Sequence, residues 1–279
     1  MSGAADLHMH SDCSDGALPP AALVRHVAAR GVATMALTDH DTLAGCESAR
    51  AACLEADICF IAGVEVSCSW RGQAIHVIGL APRLADADLA AHLRAIRELR
   101  RDRILLIGER LADRKALPTR ELVARLVSAT EVPTRMHLAR ELVQAGLADS
   151  TADAFDRWLG RGTPGNVPIV WPALEVTVST LAAAGAQIVL AHPHRYRLSS
   201  GALRALADEF AALGGHALEI SVAGMARHDF DRIAELARRR GLAGSCGSDF
   251  HDPAVAWNPP GRFAKLPADI EPVATRLAA

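Results

Sequence analysis

The feature that most constrains the fold of this chain is a repeated alternation of short apolar runs and helical segments. Residues 4–10, 32–38 and 58–64 have the composition of buried strands, and helical patterns over about 20–30 and 43–55 separate them. The alternation returns after residue 172, with strands predicted over 188–191, 217–220 and 242–245. Parallel strands joined by helical crossovers are the usual outcome of such a pattern, so we expect an α/β fold.

Two stretches interrupt this alternation. A hairpin is predicted over 66–81, and from about residue 86 to 158 the pattern predicts helices only, over 89–111, 119–127, 134–145 and 151–159. A Gly-rich loop, 160–168, follows these helices. We therefore divide the chain into a barrel-type domain, residues 1–97 and 171–279, and a helical insertion, residues 98–170. On the first long helix, a set of arginines is interpreted as a solvated face: Arg94, Arg97, Arg100, Arg101 and Arg103.

Composition limits the classes of partner. Of the 279 residues, half are hydrophobic and 22% are charged, and the formal net charge is −2, so general polyanion binding is not expected. Aromatic residues make up 4%, which argues against a stacking platform for long single strands. Six cysteines without a C-x-x-C pair are interpreted as reduced thiols, and neither a leader nor an apolar membrane span is evident. We expect a soluble, cytoplasmic protein with no membrane contact and no obligate protein partner.

Polar side chains follow most of the predicted strands. His8 and His10 are two residues apart on an extended segment and therefore point to the same face, and Asp15 lies in the turn beyond, where Gly16 permits a tight bend. A His-x-His pair alone is equally compatible with two solvated histidines. Repetition at other strand ends favours a metal site, because the carboxyl ends of parallel strands meet at one rim. The candidate ligands are His8, His10, Asp15, His40, Glu65, His76, His192, Asp249 and His251.

These candidates are six imidazoles and three carboxylates. One ion takes about four to six ligands, so nine indicate two or three divalent ions with a bridging carboxylate. A mixed nitrogen and oxygen set without thiolate suits Mn²⁺, with Fe²⁺ and Zn²⁺ as alternatives. Clustered ions turn water into hydroxide at neutral pH and neutralise a phosphoryl group during displacement. Phosphate ester hydrolysis follows most directly, and amide hydrolysis stays open.

Five motifs carry a resemblance to a known family. They are Asp-Leu-His-Met-His-Ser-x-x-Ser-Asp-Gly from residue 6, Thr-Asp-His-Asp from 38, Gly-Val-Glu from 63, Ala-His-Pro from 191 and Gly-Ser-Asp-Phe-His from 247, with a lone strand histidine, His76. In this order they resemble the PHP (polymerase and histidinol phosphatase) superfamily. The resemblance implies a distorted (β/α)₇ TIM-like barrel with a trinuclear metal site at its rim and the helical insertion capping that rim.

The resemblance also implies how the ligands are shared. Three sets are implied, with Glu65 common to all of them: His8, His10, Glu65 and Asp249; Asp15, His40, Glu65 and His251; and Glu65, His76 and His192. Four other acidic residues are interpreted as supporting or helix-capping groups: Asp6, Asp12, Asp39 and Asp41.

Within the superfamily the chain is similar to a stand-alone branch with a helical insertion, which includes 3′,5′-nucleotide bisphosphate phosphatases and a 5′-to-3′ exoribonuclease. The segment 133–140 and Val167-Pro168 carry this similarity. It implies removal of the 3′-phosphate from a nucleoside 3′,5′-bisphosphate by attack of a metal-bridging hydroxide. Exonuclease action on short RNA, a histidinol-phosphate-type phosphatase and a non-catalytic PHP scaffold are the alternatives.

Three residues are candidates for contact with a small nucleotide. Arg135 is the first choice as a phosphate clamp, because a guanidinium binds phosphate oxygens bidentately. His194 is a candidate phosphate ligand or general acid, since it follows His192 at a strand end, and Arg195 is a weaker candidate. Water-exposed placement of Arg135 and a merely hydrogen-bonded His194 are the competing interpretations.

Overall fold

In the computed structural model, residues 4–277 are described, and they build one seven-stranded sheet whose spatial order is the order along the chain. The strands are β1 (Ala4–Asp6), β2 (Val32–Leu37), β3 (Cys59–Trp70), β4 (Gln73–Leu80), β5 (Gln187–Leu190), β6 (Ala217–Val222) and β7 (Ala243–Gly247). Pairing is parallel except where β4 pairs antiparallel with β3 and with β5. The predicted α/β class with a mostly parallel sheet is therefore confirmed.

Nine α-helices lie within the described residues. They are α1 (Pro20–Ala28), α2 (Cys46–Glu55), α3 (Ala87–Lys115), α4 (Thr119–Ala129), α5 (Arg135–Gln144), α6 (Thr151–Ala154), α7 (Leu174–Ala183), α8 (Ser200–Ala212) and α9 (Arg227–Arg240), with a π-helical turn after α6. Local signals set their ends. Pro20 occupies the first turn of α1, where its missing N–H costs nothing. The Asp86 carboxylate accepts from Leu89 N at 3.0 Å and so begins α3.

Two strands differ clearly from their predicted lengths. The strand predicted over 4–10 is regular only over Ala4–Asp6, so His8 and His10 follow it. The pattern predicted a strand over 58–64 that ends before Glu65, but β3 continues without a break to Trp70. Its parallel pairing with β2 stops at Ala62, and its antiparallel pairing with β4 starts at Gly63. The segment after β2 stays beside β3 as far as Glu65, whose N–H donates to Asp39 O at 3.2 Å and whose O accepts from Asp41 N at 2.9 Å. Glu65 therefore lies inside a strand, between two hydrogen-bonded neighbours.

The segments that follow β1 and β7 lie side by side. Leu7 N donates to Cys246 O at 3.0 Å, and Asp249 N donates to His8 O at 2.8 Å. His10 N donates to the carbonyl oxygen of Phe250 at 2.9 Å. These hydrogen bonds bring the first and last candidate ligands of the sequence together, although about 240 positions separate them.

Helix α3 belongs to two hydrophobic clusters. Leu89, Leu93 and Ile96 pack in the cluster that covers the sheet. Ile104 and Ile107, further along the same helix, pack in a second cluster with residues of α4 and α5. The predicted division at residue 98 therefore falls inside a continuous helix, and the division into two domains stays a prediction. Each helix within residues 4–277 is too short or too polar to cross a membrane.

Candidate active site

All nine predicted ligands gather on one side of the sheet. His8 and His10 follow β1, His40 follows β2, and Asp15 lies in the loop that leads to α1. The others come from the second half of the sheet and from the hairpin: Glu65, His76, His192, Asp249 and His251. Sequence positions from 8 to 251 thus meet because consecutive strands are neighbours in the sheet.

Glu65 lies at the centre of this cluster and is fully buried. Its Oε1 atom lies 3.0 Å from His76 Nδ1 and 2.8 Å from His192 Nε2. Its Oε2 atom lies 3.0–3.3 Å from nitrogen atoms of three further imidazoles, those of His8, His10 and His40. The two oxygens of one carboxylate therefore face separate groups of ligands, which is the geometry that a bridging carboxylate requires.

Two other carboxylates complete the groups on the Oε2 side. Asp249 Oδ1 lies 3.3 Å from His8 Nε2 and 3.2 Å from His10 Nε2. Asp15 Oδ1 lies 3.3 Å from His251 Nε2 and 3.9 Å from His40 Nε2. Ligand atoms of His8, His10, Glu65 and Asp249 are all within 4.8 Å of one another, as are those of His10, Asp15, His40 and His251. The second group contains His10 where the family resemblance implied Glu65.

Several buried atoms of the cluster make no well-aligned hydrogen bond, although some of them lie close to a polar neighbour. They include Asp15 Oδ1, His40 Nδ1, Glu65 Oε2 and His192 Nδ1. Leaving buried polar atoms unpartnered costs free energy, so native structures seldom do it without another ligand. Converging imidazole nitrogens and carboxylate oxygens are the donor set of Mn²⁺, Fe²⁺ or Zn²⁺. The cluster is suited to more than one divalent ion.

The charges of the cluster compensate one another when protons are the only cations. Burial opposes the charged form of His10, but the adjacent carboxylates of Asp249 and Glu65 outweigh burial and raise the pKa of His10 to about 10. Burial also opposes ionisation of Glu65, yet the surrounding imidazoles hold its pKa well below the usual range. Metal ligation requires neutral imidazoles, so a divalent cation would replace protons at this site.

Glu219 is a site residue that the sequence analysis missed. It is fully buried in β6, its Oε1 accepts from His8 Nδ1 at 2.9 Å, and its Oε2 accepts from His192 N at 2.6 Å. Such a contact fixes the orientation of a ligand imidazole and the nitrogen that it offers. The available signal was a single carboxylate in the otherwise apolar strand predicted over 217–220.

The four supporting aspartates divide into three that are buried and one that is exposed. Asp6 accepts from Ser248 N at 2.9 Å and from Gly261 N at 2.8 Å, which ties the end of β1 to the segment after β7. The other two buried carboxylates accept hydrogen bonds that hold loops in place. Asp39 accepts from Ser11 and Ser14, and Asp41 accepts from Ser67 and Arg100. Asp12 is exposed.

Unusual backbone geometry coincides with the cluster. His192 has φ 28° and Asp249 has φ 52°, in the left-handed region that residues other than glycine rarely adopt. At Gly247 the unusual feature is a close approach to His8, because a Cβ atom at residue 247 would lie 2.4 Å from His8 Cβ. Strain and close approach of this kind persist where the surrounding structure fixes them, as at active sites.

The arginines of α3 are not all on a solvated face. Arg100 is buried, where its Nε lies 2.6 Å from Asp41 Oδ2 and its Nη2 donates to Ser67 Oγ at 2.7 Å. Arg103 is half-buried and donates only to the carbonyl oxygen of Val167, at 3.2 Å. Arg97 is also half-buried, and its Nη1 donates to Asp41 O at 3.0 Å. The prediction was wrong for these three because other parts of the chain pack over this part of the helix.

Arg135 lies at the start of α5 and is half-buried. Its Nη1 donates to Leu159 O at 3.4 Å, and its guanidinium lies 5.7 Å from the centre of the Phe155 ring. Within residues 4–277, neither Arg135 nor Arg103 has a carboxylate partner. Burial lowers the pKa of both, and the charges of Arg135 and Arg100 help to lower that of Arg103 to about 9. The two guanidiniums are therefore held near each other without compensation.

His194 and Arg195 lie in the 3₁₀ turn after β5. Arg195 forms an ion pair with Asp249, so this predicted substrate residue contacts a candidate ligand. His194 is half-buried, its Nδ1 lacks a partner, and burial together with the charge of Arg195 lowers its pKa to about 4. The imidazole of His194 is therefore neutral near pH 7.

Comparison with known proteins agrees with this geometry. A model of the PHP domain matches residues 6–117. The chain is 37% identical to a 5′-3′ exoribonuclease of Haemophilus influenzae, over 96% of this chain and 97% of that protein. It is also 37% identical to a 3′,5′-nucleoside bisphosphate phosphatase of Chromobacterium violaceum, over 98% and 96%. A solved amidohydrolase structure from C. violaceum, with bound sulfate and no metal, superimposes with a TM-score of 0.90 at 36% identity, covering 98% of this chain and 95% of that one.

Proposed function

This chain belongs to the PHP family, and on that basis we propose that it is a metal-dependent phosphohydrolase that removes the 3′-phosphate from nucleoside 3′,5′-bisphosphates. The products are the nucleoside 5′-monophosphate and phosphate. Metal-dependent phosphoester hydrolysis is the activity that the family and the cluster around Glu65 support together. The observation that carries it is Glu65, whose two oxygens face five imidazoles while Oε2 makes no well-aligned hydrogen bond.

In this proposal the nine clustered residues hold two or three divalent ions, with Mn²⁺ preferred. Bound ions supply an activated water and neutralise charge on the phosphoryl group. Glu65 would be the ligand common to the ions, and Glu219 would hold His8 and His192 in the orientation that ligation needs. The proposal also includes the two structural features that the family resemblance implies. The sheet closes into a barrel, and the insertion, residues 98–170, caps its rim. Its structural support is the contact between the segments after β1 and β7.

The uncompensated arginines support a substrate with two anionic groups. One phosphate would lie at the metal cluster, and a second would lie between Arg103 and Arg135, which otherwise donate only to carbonyl oxygens. Guanidinium–phosphate hydrogen bonds are charge-assisted and frequently bidentate, so a phosphate there would relieve the repulsion between the two side chains. A 3′,5′-bisphosphate carries its phosphates on the two sides of one sugar and fits this requirement.

For His194, the structure favours the phosphate-ligand alternative over the general acid. A general acid must carry a proton at the working pH, whereas burial and Arg195 lower the pKa of His194 to about 4. Divalent ions nearby would lower it further. The N–H of the neutral ring can still donate one hydrogen bond to a phosphoryl oxygen. Arg195 stands in this proposal as a second contact beside Asp249.

Exonuclease action on short RNA is the second candidate. The relative from H. influenzae carries that name, and the cleft between α3 and the start of α5 has a basic wall formed by Arg94, Arg97 and Arg101. Glu98 and Glu131 line the same cleft and reduce its net charge. This cleft can contact a phosphodiester backbone weakly, so the two activities are compatible with one site.

The experiment compares phosphate release from adenosine 3′,5′-bisphosphate with mononucleotide release from a short 5′-phosphorylated RNA, with Mn²⁺ present and after chelation, in protein of measured metal content. We expect metal-dependent formation of AMP and phosphate at a higher kcat/KM than RNA trimming. Faster trimming of RNA would make the exonuclease the main activity. Absence of turnover on both substrates in metal-loaded protein would overturn the proposal.

A further inference from the structure

Trp257 is an exposed tryptophan beside the candidate metal cluster. Two of the four tryptophans, Trp70 and Trp171, are 4% and 5% exposed, and Trp158 is half-buried, whereas Trp257 is 56% exposed. It lies six residues after the candidate ligand His251. An indole left open next to a polar site is a surface on which a flat ring can stack.

Two contacts fix Trp257 relative to the cluster. The Arg195 guanidinium, which pairs with Asp249, lies 5.5 Å from the centre of the indole ring. The neighbouring residue Asn258 is 2% exposed, and its Nδ2 donates to Asp249 O at 2.7 Å. A side chain and a backbone anchor thus connect Trp257 to one candidate ligand, Asp249.

The backbone after β6 packs against the indole, and the loop that carries Trp257 contacts the insertion. A Cβ atom at Gly224, which follows β6, would lie 3.1 Å from Trp257 Cε3, so the backbone packs closely against the ring. In the same loop, Asp252 Oδ2 lies 3.9 Å from Arg140 of α5, the helix that begins with Arg135. The loop that carries Trp257 therefore joins the cluster, through Asp249, to the insertion, through Arg140.

We propose that Trp257 is the stacking surface for the nucleobase of the substrate. This inference rests on the proposed function, because it requires a nucleotide whose phosphates occupy the metal cluster and the arginine pair. Every base has a π-face, so stacking on one indole binds purines and pyrimidines without reading their edges. The substrate class that follows is nucleotides of any base, bound through one base and two phosphates.

The test compares two substrates in three proteins. Wild type, Trp257→Ala and Trp257→Phe are assayed with adenosine 3′,5′-bisphosphate and with the matching sugar bisphosphate that has no base. Loss of one base–aromatic stack corresponds to about tenfold, so we expect the preference for the nucleotide, as a ratio of kcat/KM values, to fall about tenfold in Trp257→Ala. Trp257→Phe keeps an aromatic face and should retain most of the preference.

A binding measurement gives a second readout. Titration of the metal-loaded protein with the product AMP should quench tryptophan fluorescence in wild type and much less in Trp257→Phe, whereas ribose 5-phosphate should quench neither. Equal losses on both substrates, or the same quenching in Trp257→Phe as in wild type, would overturn the inference and leave the proposed function intact. If wild type hydrolyses neither bisphosphate, the proposed function itself fails, and this inference fails with it.

Discussion

The floor and the roof of the candidate site hold their charges in opposite ways. In the floor, which is the cluster of nine predicted ligands, every carboxylate lies within 3.9 Å of an imidazole. The roof is our name for the pair Arg103 and Arg135, the second phosphate site of the proposal, where each guanidinium donates, among residues 4–277, only to a backbone carbonyl. The floor is neutralised within the protein, whereas the roof is not.

This difference indicates what each half is built to bind. Protons that now balance the floor can be exchanged for divalent cations without altering its carboxylates. A half-buried guanidinium without a counter-charge recovers only part of its desolvation cost from carbonyl oxygens, and a bound anion would compensate the rest. Arg100 is the internal reference, because the same helix buries it against Asp41, where it has a structural partner. Five substitutions test this contrast.

The largest effect is expected at Glu65. Glu65→Gln keeps the shape of the side chain but removes the charge that faces five imidazoles. We expect turnover to fall at least about a thousandfold, beyond the tenfold to hundredfold cost of losing a residue that only orients ligands. The measurements are bound metal per chain and kcat, with exposed Glu55→Gln of α2 as the matched control. Wild-type metal content together with wild-type turnover would contradict the bridging role.

Glu219→Gln should have a smaller and recoverable effect. The amide still fills the space, but it no longer supplies a carboxylate oxygen both to His8 Nδ1 and to His192 N. We expect metal affinity to fall about tenfold to a hundredfold, and excess Mn²⁺ to restore most of the activity. A loss of activity that excess metal does not restore would place Glu219 among the ligands instead of behind them.

The roof is tested with substrates that differ by one phosphate. Arg135→Met and Arg103→Met should each lower kcat/KM for adenosine 3′,5′-bisphosphate about tenfold, the effect of one hydrogen bond to a charged group. Adenosine 3′-monophosphate lacks the second phosphate and should show a much smaller change. Exposed Arg125→Met of α4 is the matched control.

The same variants carry a stability readout. Because each substitution removes a desolvated and uncompensated charge, the free energy of unfolding without ligand should rise in Arg103→Met. Equal losses on both substrates would mean that the arginines position the insertion and do not bind the second phosphate.

The sequence was sufficient to predict which candidate ligands come together at strand ends. It was not sufficient to predict the side chains whose burial or direction depends on tertiary packing. His8, His10 and His40 stand next to apolar runs, so their convergence follows from the strand order alone. Glu219 is hidden in the middle of such a run, and only the register of β6 against its neighbours aims it at His8. The burial of Arg103 depends on how the second hydrophobic cluster packs, which no local pattern contains.

The smallest effect is expected at Asp6, whose carboxylate supports the floor by tying the end of β1 to the segment after β7. Burial raises the pKa of Asp6 to about 6 from an ordinary value near 3.8. Between about pH 4 and 6 the folded protein therefore binds more protons at Asp6 than the unfolded chain does, so the free energy of unfolding falls as pH rises through that range and levels off above it. Asp6→Asn stays neutral and should lack this fall, which amounts to at most about 3 kcal/mol.

The measurement is urea unfolding at several pH values with chelator present, for wild type, Asp6→Asn and the exposed control Asp12→Asn. It shows whether burial destabilises the Asp6 carboxylate or its hydrogen bonds fully stabilise it. A fall of the wild-type stability relative to that of Asp6→Asn toward neutral pH would show that the protein holds the Asp6 carboxylate against a cost, as the roof holds its arginines. Parallel curves would mean that the hydrogen bonds from Ser248 and Gly261 fully stabilise the carboxylate. The support of the floor would then be compensated like the floor itself, and the contrast with the roof would become sharper.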